Sequence, residues 1–197
     1  MKLTRDFYQR SALQAAPDLL GKLLVHQTAE GLAAGMIVEA EAYIGAVDKA
    51  SHAYQCRSPR TEVMYGAGGL AYVYLIYGIY YCFNVVTGME DQAEAVLIRA
   101  LEPVAGLDLM QRRRGAKVKV QNLTSGPGKL CQALAITKAQ YGLTLTGEEL
   151  YLEEYREVTP QERGVSTRVN VDYAEEARNF PWRFYLKGNP YVSVKPR

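Results

Sequence analysis

Between Leu70 and Val86 the chain runs LAYVYLIYGIYYCFNVV, almost wholly apolar or aromatic and interrupted only by Tyr77-Gly78. Aromatic and β-branched residues at this density suit strands, and the turn-like dipeptide in the middle folds the run on itself as a hairpin. A chain built around such a hairpin has to bury it in a sheet, or expose a tyrosine at its tip for a purpose. In the first case the hairpin is packed against another layer. In the second, Tyr77 is a wedge of the kind that minor-groove proteins push between stacked bases, repaying a few kcal/mol of unstacking with new contacts. The sequence leaves both readings open.

Other segments fill in the sheet. KLLVHQTA and GMIVEAEAYI read as two strands separated by EGLAAG, and AVLIRALEP supplies another. RFYLKG and YVSV close the chain as strands. SALQAAPDLL reads as a short helix limited by Pro17 and ended by Gly21, and VAGLDLMQRRR as a helix with a basic end. SGPGKLCQALAITKAQYG is expected to be a helix, with Ser125 near its cap, Pro127 in its first turn and Gly142 at its far end. With no repeat and no low-complexity tract, the expectation is an α+β fold. It is one mixed domain over residues 1–197, a mostly antiparallel curved sheet with a protruding β-hairpin, surrounded by helices.

Hydrophobic residues at 48% and charged residues at 22% match an ordinary globular protein with a sizeable core. No apolar run reaches the ~20 residues needed to span a bilayer, and the first residues lack the apolar stretch of a signal peptide. The expected location is the cytoplasm. Cys56, Cys82 and Cys131 form no C-x-x-C pair, and His26 and His52 are the only histidines. This argues against a disulfide scaffold, a Cys/His metal site and an iron–sulfur cluster, and for reduced thiols. Residues 101–140 carry seven basic side chains against two acidic ones, and residues 141–180 nine acidic against four basic. That asymmetry permits a basic face toward phosphates, although solvated loops would look the same.

Several residues sit where chemistry could use them. Alternation in the strand 36–44 puts Val38, Ala40, Ala42 and Ile44 on one face and Ile37, Glu39, Glu41 and Tyr43 on the other. Two carboxylates and an aromatic on one face can wall a polar pocket, but an exposed amphipathic strand with solvated glutamates is the commoner outcome. Asn84 and Arg99 lie among apolar strand residues, where a buried amide or guanidinium needs partners. For Arg99, an ion pair with Glu39 or Glu41 and a catalytic role are both open. The glycine-flanked start of SGPGKLCQAL, with Lys129, could hold a phosphate, but it lacks the P-loop spacing, and the zinc-deaminase signature is absent.

Taken in order, LLGKLLVHQT, IVEAEAYIG, DKASHAY, YVYLIYGIYYCFNVV, LIRALEP, SGPGKLCQALAI and RFYLKGNPYVSV resemble the alkyladenine (3-methyladenine) DNA glycosylase family, the type without a helix-hairpin-helix motif. The matching segments run from about residue 19 to residue 194. The resemblance implies excision of alkylated or deaminated purines from duplex DNA: 3-methyladenine, with 7-methylguanine, hypoxanthine and ethenoadenine as further candidates. It makes Glu41 the base that activates water and Arg99 its partner. Tyr43, His52 and Tyr74 sandwich the extruded base, Asn84 rejects guanine, and the Val169 backbone accepts from the base edge. Tyr77 fills the gap in the duplex with Ile79 beside it, Ile79 standing where mammalian members have a methionine. Lys129, Arg57 and Arg60 are expected on the DNA backbone.

The family needs no cofactor and no metal, and it acts on damaged double-stranded DNA, here as an expected monomer of compact bacterial type associated with the nucleoid. Lys49 matches no catalytic position, so no Schiff-base step and no strand cleavage are expected. The resemblance leaves the proton donor for neutral leaving bases unnamed, with His52 one candidate. Cys56 stands where the family usually has glycine. A non-catalytic lesion binder, a nucleoside hydrolase and a protein-binding module are the rivals. None of them needs Glu41, Arg99, Asn84 and the Tyr77 wedge together.

Overall fold

The computed structural model describes residues 1–195 except Cys56; the expectations for Cys56 therefore lie outside the described residues. Among the described residues eight strands form one sheet in which every pairing is antiparallel. They are β1 (Leu23–Thr28), β2 (Gly31–Ile44), β3 (Ala71–Ile76), β4 (Tyr80–Thr87), β5 (Glu94–Ala105), β6 (Leu150–Glu153), β7 (Arg163–Ser166) and β8 (Arg183–Leu186). The main order is β3-β4-β5-β2-β1-β6. Strand β2 is long enough to serve two neighbours on one edge: β1 covers its first part and β8, carrying β7, covers Glu39–Glu41. Among the described residues four α-helices accompany the sheet: α1 (Arg5–Tyr8), α2 (Ala12–Leu19), α3 (Leu107–Arg114) and α4 (Pro127–Leu134). The fold is α+β, as expected. Among the described residues no helix is long and apolar enough to cross a membrane.

Period-two alternation sorts the sheet into two chemistries. Ala71, Val73, Phe83, Val85, Val96 and Ile98 face the main apolar core, which they share with Leu19 of α2 and with Leu130 and Leu134 of α4. The intervening residues Tyr72, Tyr74, Cys82, Asn84, Ala95 and Leu97 face a cavity instead. The hairpin β3–β4 turns at Tyr77 and Gly78, with φ of 53° and 72°, the pair of positive values that a type I′ turn demands.

Several boundaries differ from expectation. EGLAAG is not a connection. The turn is Ala29–Glu30, and Gly31–Gly35 belong to β2. Gly35 marks a close approach of backbones rather than a turn, since a Cβ there would lie 2.8 Å from that of Leu101. Helix α2 runs past Pro17 to Leu19, started by a capping box between Ser11 and Gln14. Val104 and Ala105 extend β5 rather than opening α3, which begins after Gly106. Helix α4 stops at Leu134, eight residues before Gly142, because Ala135 adopts the left-handed conformation and the Ile136 N–H returns to the Cys131 carbonyl. Its N-cap is Gly126, with Ser125 next to it as expected. YVSV forms no strand, whereas the acidic stretch holds two short strands that the pattern hid, β6 and β7. Cys82 and Cys131 are buried free thiols.

Candidate active site

The site begins with a defect in the β2–β5 ladder. Ile37 pairs with Leu101, Glu39 with Ala100 and Ala40 with Ile98, so Val38 on one strand and Arg99 on the other have no opposite number. Such bulges re-aim side chains. Here they let Ile37 join Val38, Ala40 and Ala42 in the core, against the simple alternation. Glu39, Glu41 and Tyr43 remain together on the other face, where Arg99 meets them. Arg99 Nε donates to Glu39 Oε1 at 3.0 Å and Nη1 to Glu41 Oε2 at 3.4 Å.

Both carboxylates are fully buried, so each needs its donors. Glu39 also accepts from Arg183 Nε at 2.8 Å and from the Ser193 N–H at 2.6 Å. Glu41 accepts from the Tyr43 hydroxyl at 2.8 Å and from the Val169 N–H at 2.7 Å. Burial alone would lower the Arg99 pKa, but the charges of Glu41 and Glu39 more than offset it, so the guanidinium stays protonated. Tyr43 is pushed well above its ordinary value, first by burial and then by the Glu41 charge, and remains a neutral hydroxyl donor.

Above this charged floor opens a cavity of about 730 Å³, of a size to take a nucleotide base. Its wall is aromatic. The His52 and Tyr74 rings meet edge-on at 4.5 Å between centroids, and Tyr72 lies 5.4 Å from Tyr74. His52 Nδ1 lies 2.9 Å from the Tyr72 hydroxyl, and Arg60 Nη2 lies 3.4 Å from His52 Nε2. With an arginine donor at Nε2, the imidazole is neutral and carries its proton on Nδ1. Enclosure, together with the Arg60 charge, lowers its pKa to about 4. The imidazole of the free protein is therefore neutral near pH 7. Asn84 is held by its Nδ2, which donates to the Tyr72 carbonyl at 3.0 Å.

Of the residues singled out from sequence, Tyr43, His52, Tyr74, Tyr77, Asn84, Arg99, Lys129 and Val169 all line this cavity. Glu41 lies behind the lining, reached through Tyr43, Arg99 and Val169. Tyr77 is 77% exposed at the hairpin tip, so the hairpin is not buried at its end. Ile79 faces a neighbouring groove between the hairpin and α4 rather than the cavity. Arg60 stacks on Tyr74 at the rim, its guanidinium carbon 5.0 Å from the ring centre. Arg57 is turned into ion pairs with Glu62 and Asp91, at 2.7 and 2.8 Å. Lys129 follows Gly128, where a Cβ would press on Tyr80 at 3.0 Å; the glycine lets α4 come close to the hairpin.

Sequence reasoning missed Arg183, which shares Glu39 with Arg99, and the buried pair Asp48–Arg168 beneath Tyr43. Arg183 carried a signal like that of Arg99, a cation next to apolar residues, here the aromatics Trp182, Phe184 and Tyr185. Arg168 in an irregular segment carried none. Among the described residues no group of three or more His, Cys, Asp or Glu side chains is placed to hold a metal ion.

Comparison with known proteins gives the family. The chain is similar over 208 aligned residues, at 50% identity, to a protein of Alkaliphilus oremlandii named "Putative 3-methyladenine DNA glycosylase", covering 99% of this chain and all of that one. Proteins of the same name from Clostridium acetobutylicum and Bacillus cereus are 50% and 47% identical, each aligned over 98% or more of both chains. A family model described as methylpurine-DNA glycosylase (MPG) matches residues 6–190. The chain belongs to the methylpurine-DNA glycosylase family.

Proposed function

We propose that this protein is a monofunctional DNA glycosylase of base-excision repair. It takes a damaged purine out of duplex DNA into the aromatic cavity and hydrolyses its glycosidic bond, acting as a single domain and a monomer. The observation that carries the reading is the juxtaposition of a buried Glu41–Arg99 pair with an aromatic cavity whose rim bears the exposed Tyr77. A base cannot be reached inside the duplex, so the enzyme must extrude it and hold it by stacking. Tyr43, His52 and Tyr74 offer the faces, and Tyr77 the wedge for the gap left behind.

The chemistry follows from the charges. An N3- or N7-alkylated purine is cationic, so the π-faces attract it and its bond to C1′ is already weak. Water attacks C1′, its proton passes to Glu41, and the bonding pair leaves with the base, which departs neutral and needs no proton. Glu41 also stabilises the oxocarbenium-like sugar. In the free protein Glu41 Oε2 accepts from the Tyr43 hydroxyl and from Arg99, and Oε1 from the Val169 N–H; the attacking water takes a remaining lone pair of the carboxylate as the nucleotide enters. Backbone contacts come from Lys129 and the first amides of α4, with Arg60 at the rim. Arg57 contributes only if it leaves its two carboxylates. The proposed substrate is 3-methyladenine, with 7-methylguanine, hypoxanthine and ethenoadenine as further candidates; hypoxanthine and ethenoadenine carry no charge, so they leave with the bonding pair as anions and take up a proton from water.

The complete burial of Glu41 favours a second reading, a lesion binder without hydrolysis. Duplex oligonucleotides carrying each lesion separate the two. Release of free base, leaving alkali-labile sites and no strand break before alkali, supports the glycosylase. Tight binding without release from any lesion supports the binder.

A further inference from the structure

Val169 lies in an irregular segment between β7 and the 3₁₀ turn at Glu175–Asn179, next to Asn170 with φ of 59°. No strand pairing fixes its amide, yet that amide sits 2.7 Å from Glu41. The neighbouring residue supplies the anchor. Arg168 is fully buried and spans Asp48 with both terminal nitrogens, at 2.5 and 2.8 Å. Nη1 also donates to the Ala42 carbonyl at 3.0 Å, and Nη2 to the Ala177 carbonyl at 3.1 Å. Ala42 is the residue between Glu41 and Tyr43. The flat of the guanidinium lies 4.6 Å from the Tyr43 ring centre, on a ring that also lines the cavity.

We propose that Arg168, oriented by Asp48, is a positioning residue for the reaction: it locks the segment carrying the Val169 amide to β2 and backs the Tyr43 ring, so that Glu41 and the base-stacking face are set by one guanidinium. This rests on the reading of Glu41 as the group that activates water. Arg168 touches no substrate and acts through Val169 and Tyr43. A planar fork is required, because a lysine ammonium cannot bridge two carboxylate oxygens and two carbonyls while stacking on a ring.

The test uses two variants of the full chain. Arg168→Lys keeps the charge, and the double variant Asp48→Asn/Arg168→Gln leaves no charge buried alone. Two quantities are read: hydrogen exchange of the Val169 amide in the free ¹⁵N-labelled protein, and single-turnover base release with the Kd for lesion duplex. The expected result is faster exchange at Val169, with the release rate down roughly 10- to 100-fold, the scale on which a misplacement of about 1 Å acts. Because Tyr43 is one of three stacking faces, the Kd should weaken by less than the release rate falls, by no more than about 10-fold.

An unchanged Val169 amide in a folded variant overturns the clamp. So does an altered amide with a normal release rate, or a weakened Kd with the rate intact. Loss of fold in both variants would reduce the pair to core structure and overturn the proposal as well. Should wild type release no base, the glycosylase reading fails, while the amide measurement still decides whether Arg168 holds Val169.

Discussion

Replacing Tyr77 by glycine should make the protein slightly more stable and much less able to act on duplex DNA. The tyrosine holds φ at 53°, in the left-handed region where a side chain costs about 1–2 kcal/mol. Glycine pays no such strain, but it loses about 0.5–1 kcal/mol through its greater freedom in the unfolded chain. Because Tyr77 is 77% exposed, its removal sacrifices little burial. The balance is a gain of about 0–1 kcal/mol, and a domain of this size gains about 2–4 °C in melting temperature per kcal/mol. On duplex DNA the variant forfeits the stacking of one aromatic, about 1–3 kcal/mol. That is a fall in kcat/KM of roughly 5- to 150-fold. A lesion in a single strand leaves no gap to fill, so its processing should change far less. The measurements are a thermal melt and kcat/KM on matched duplex and single-stranded substrates. A melting temperature lowered by several degrees would show that Tyr77 packs rather than probes. An unaltered duplex rate would show that it is no wedge.

Other perturbations test other parts of the account. His52 titrates near 4 when folded against about 6.5 unfolded, so the unfolded chain binds more protons between those values and stability falls as pH drops through that window; in urea melts at pH 5 and pH 7, His52→Asn should narrow the difference between the two. Gly35→Ala places a Cβ 2.8 Å from the Leu101 Cβ and 3.1 Å from the Glu102 carbonyl, and should cost about 1–3 kcal/mol in the same assay. Asn84→Ala removes the bond to the Tyr72 carbonyl, for about 1 kcal/mol of stability, and should raise release of guanine relative to adenine lesions in a mixed-substrate competition.

Much of this arrangement was legible because it is local. The Tyr77-Gly78 turn, the shared face of Glu41 and Tyr43 and the misplaced polarity of Asn84 and Arg99 all follow from a side-chain period of two. What could not be read depends on contacts between distant segments. Arg183 reaches Glu39 because β8 pairs with the second half of β2, over a hundred residues earlier in the chain. The bulges at Val38 and Arg99 exist only in the paired ladder, and they move Ile37 to the face that alternation denied it. Arg168 stands in a segment without periodicity, and its partner Asp48 lies in a loop 120 residues away. EGLAAG misled because its glycines signal a turn, while Gly35 lets β2 lie close against β5. The helix from Pro127 was drawn too long because nothing in LAITK announces a left-handed Ala135.

The most direct measurement compares wild type with Glu41→Gln in single-turnover base release from duplex DNA carrying 3-methyladenine or hypoxanthine, with binding to the same duplexes measured alongside. Glutamine keeps the size of Glu41 and its acceptor for the Val169 amide but takes up no proton from water. The account predicts lesion binding within about 3-fold of wild type and release slower by about 100-fold or more, the loss expected of a missing general base. Release by the variant at the wild-type rate would contradict it.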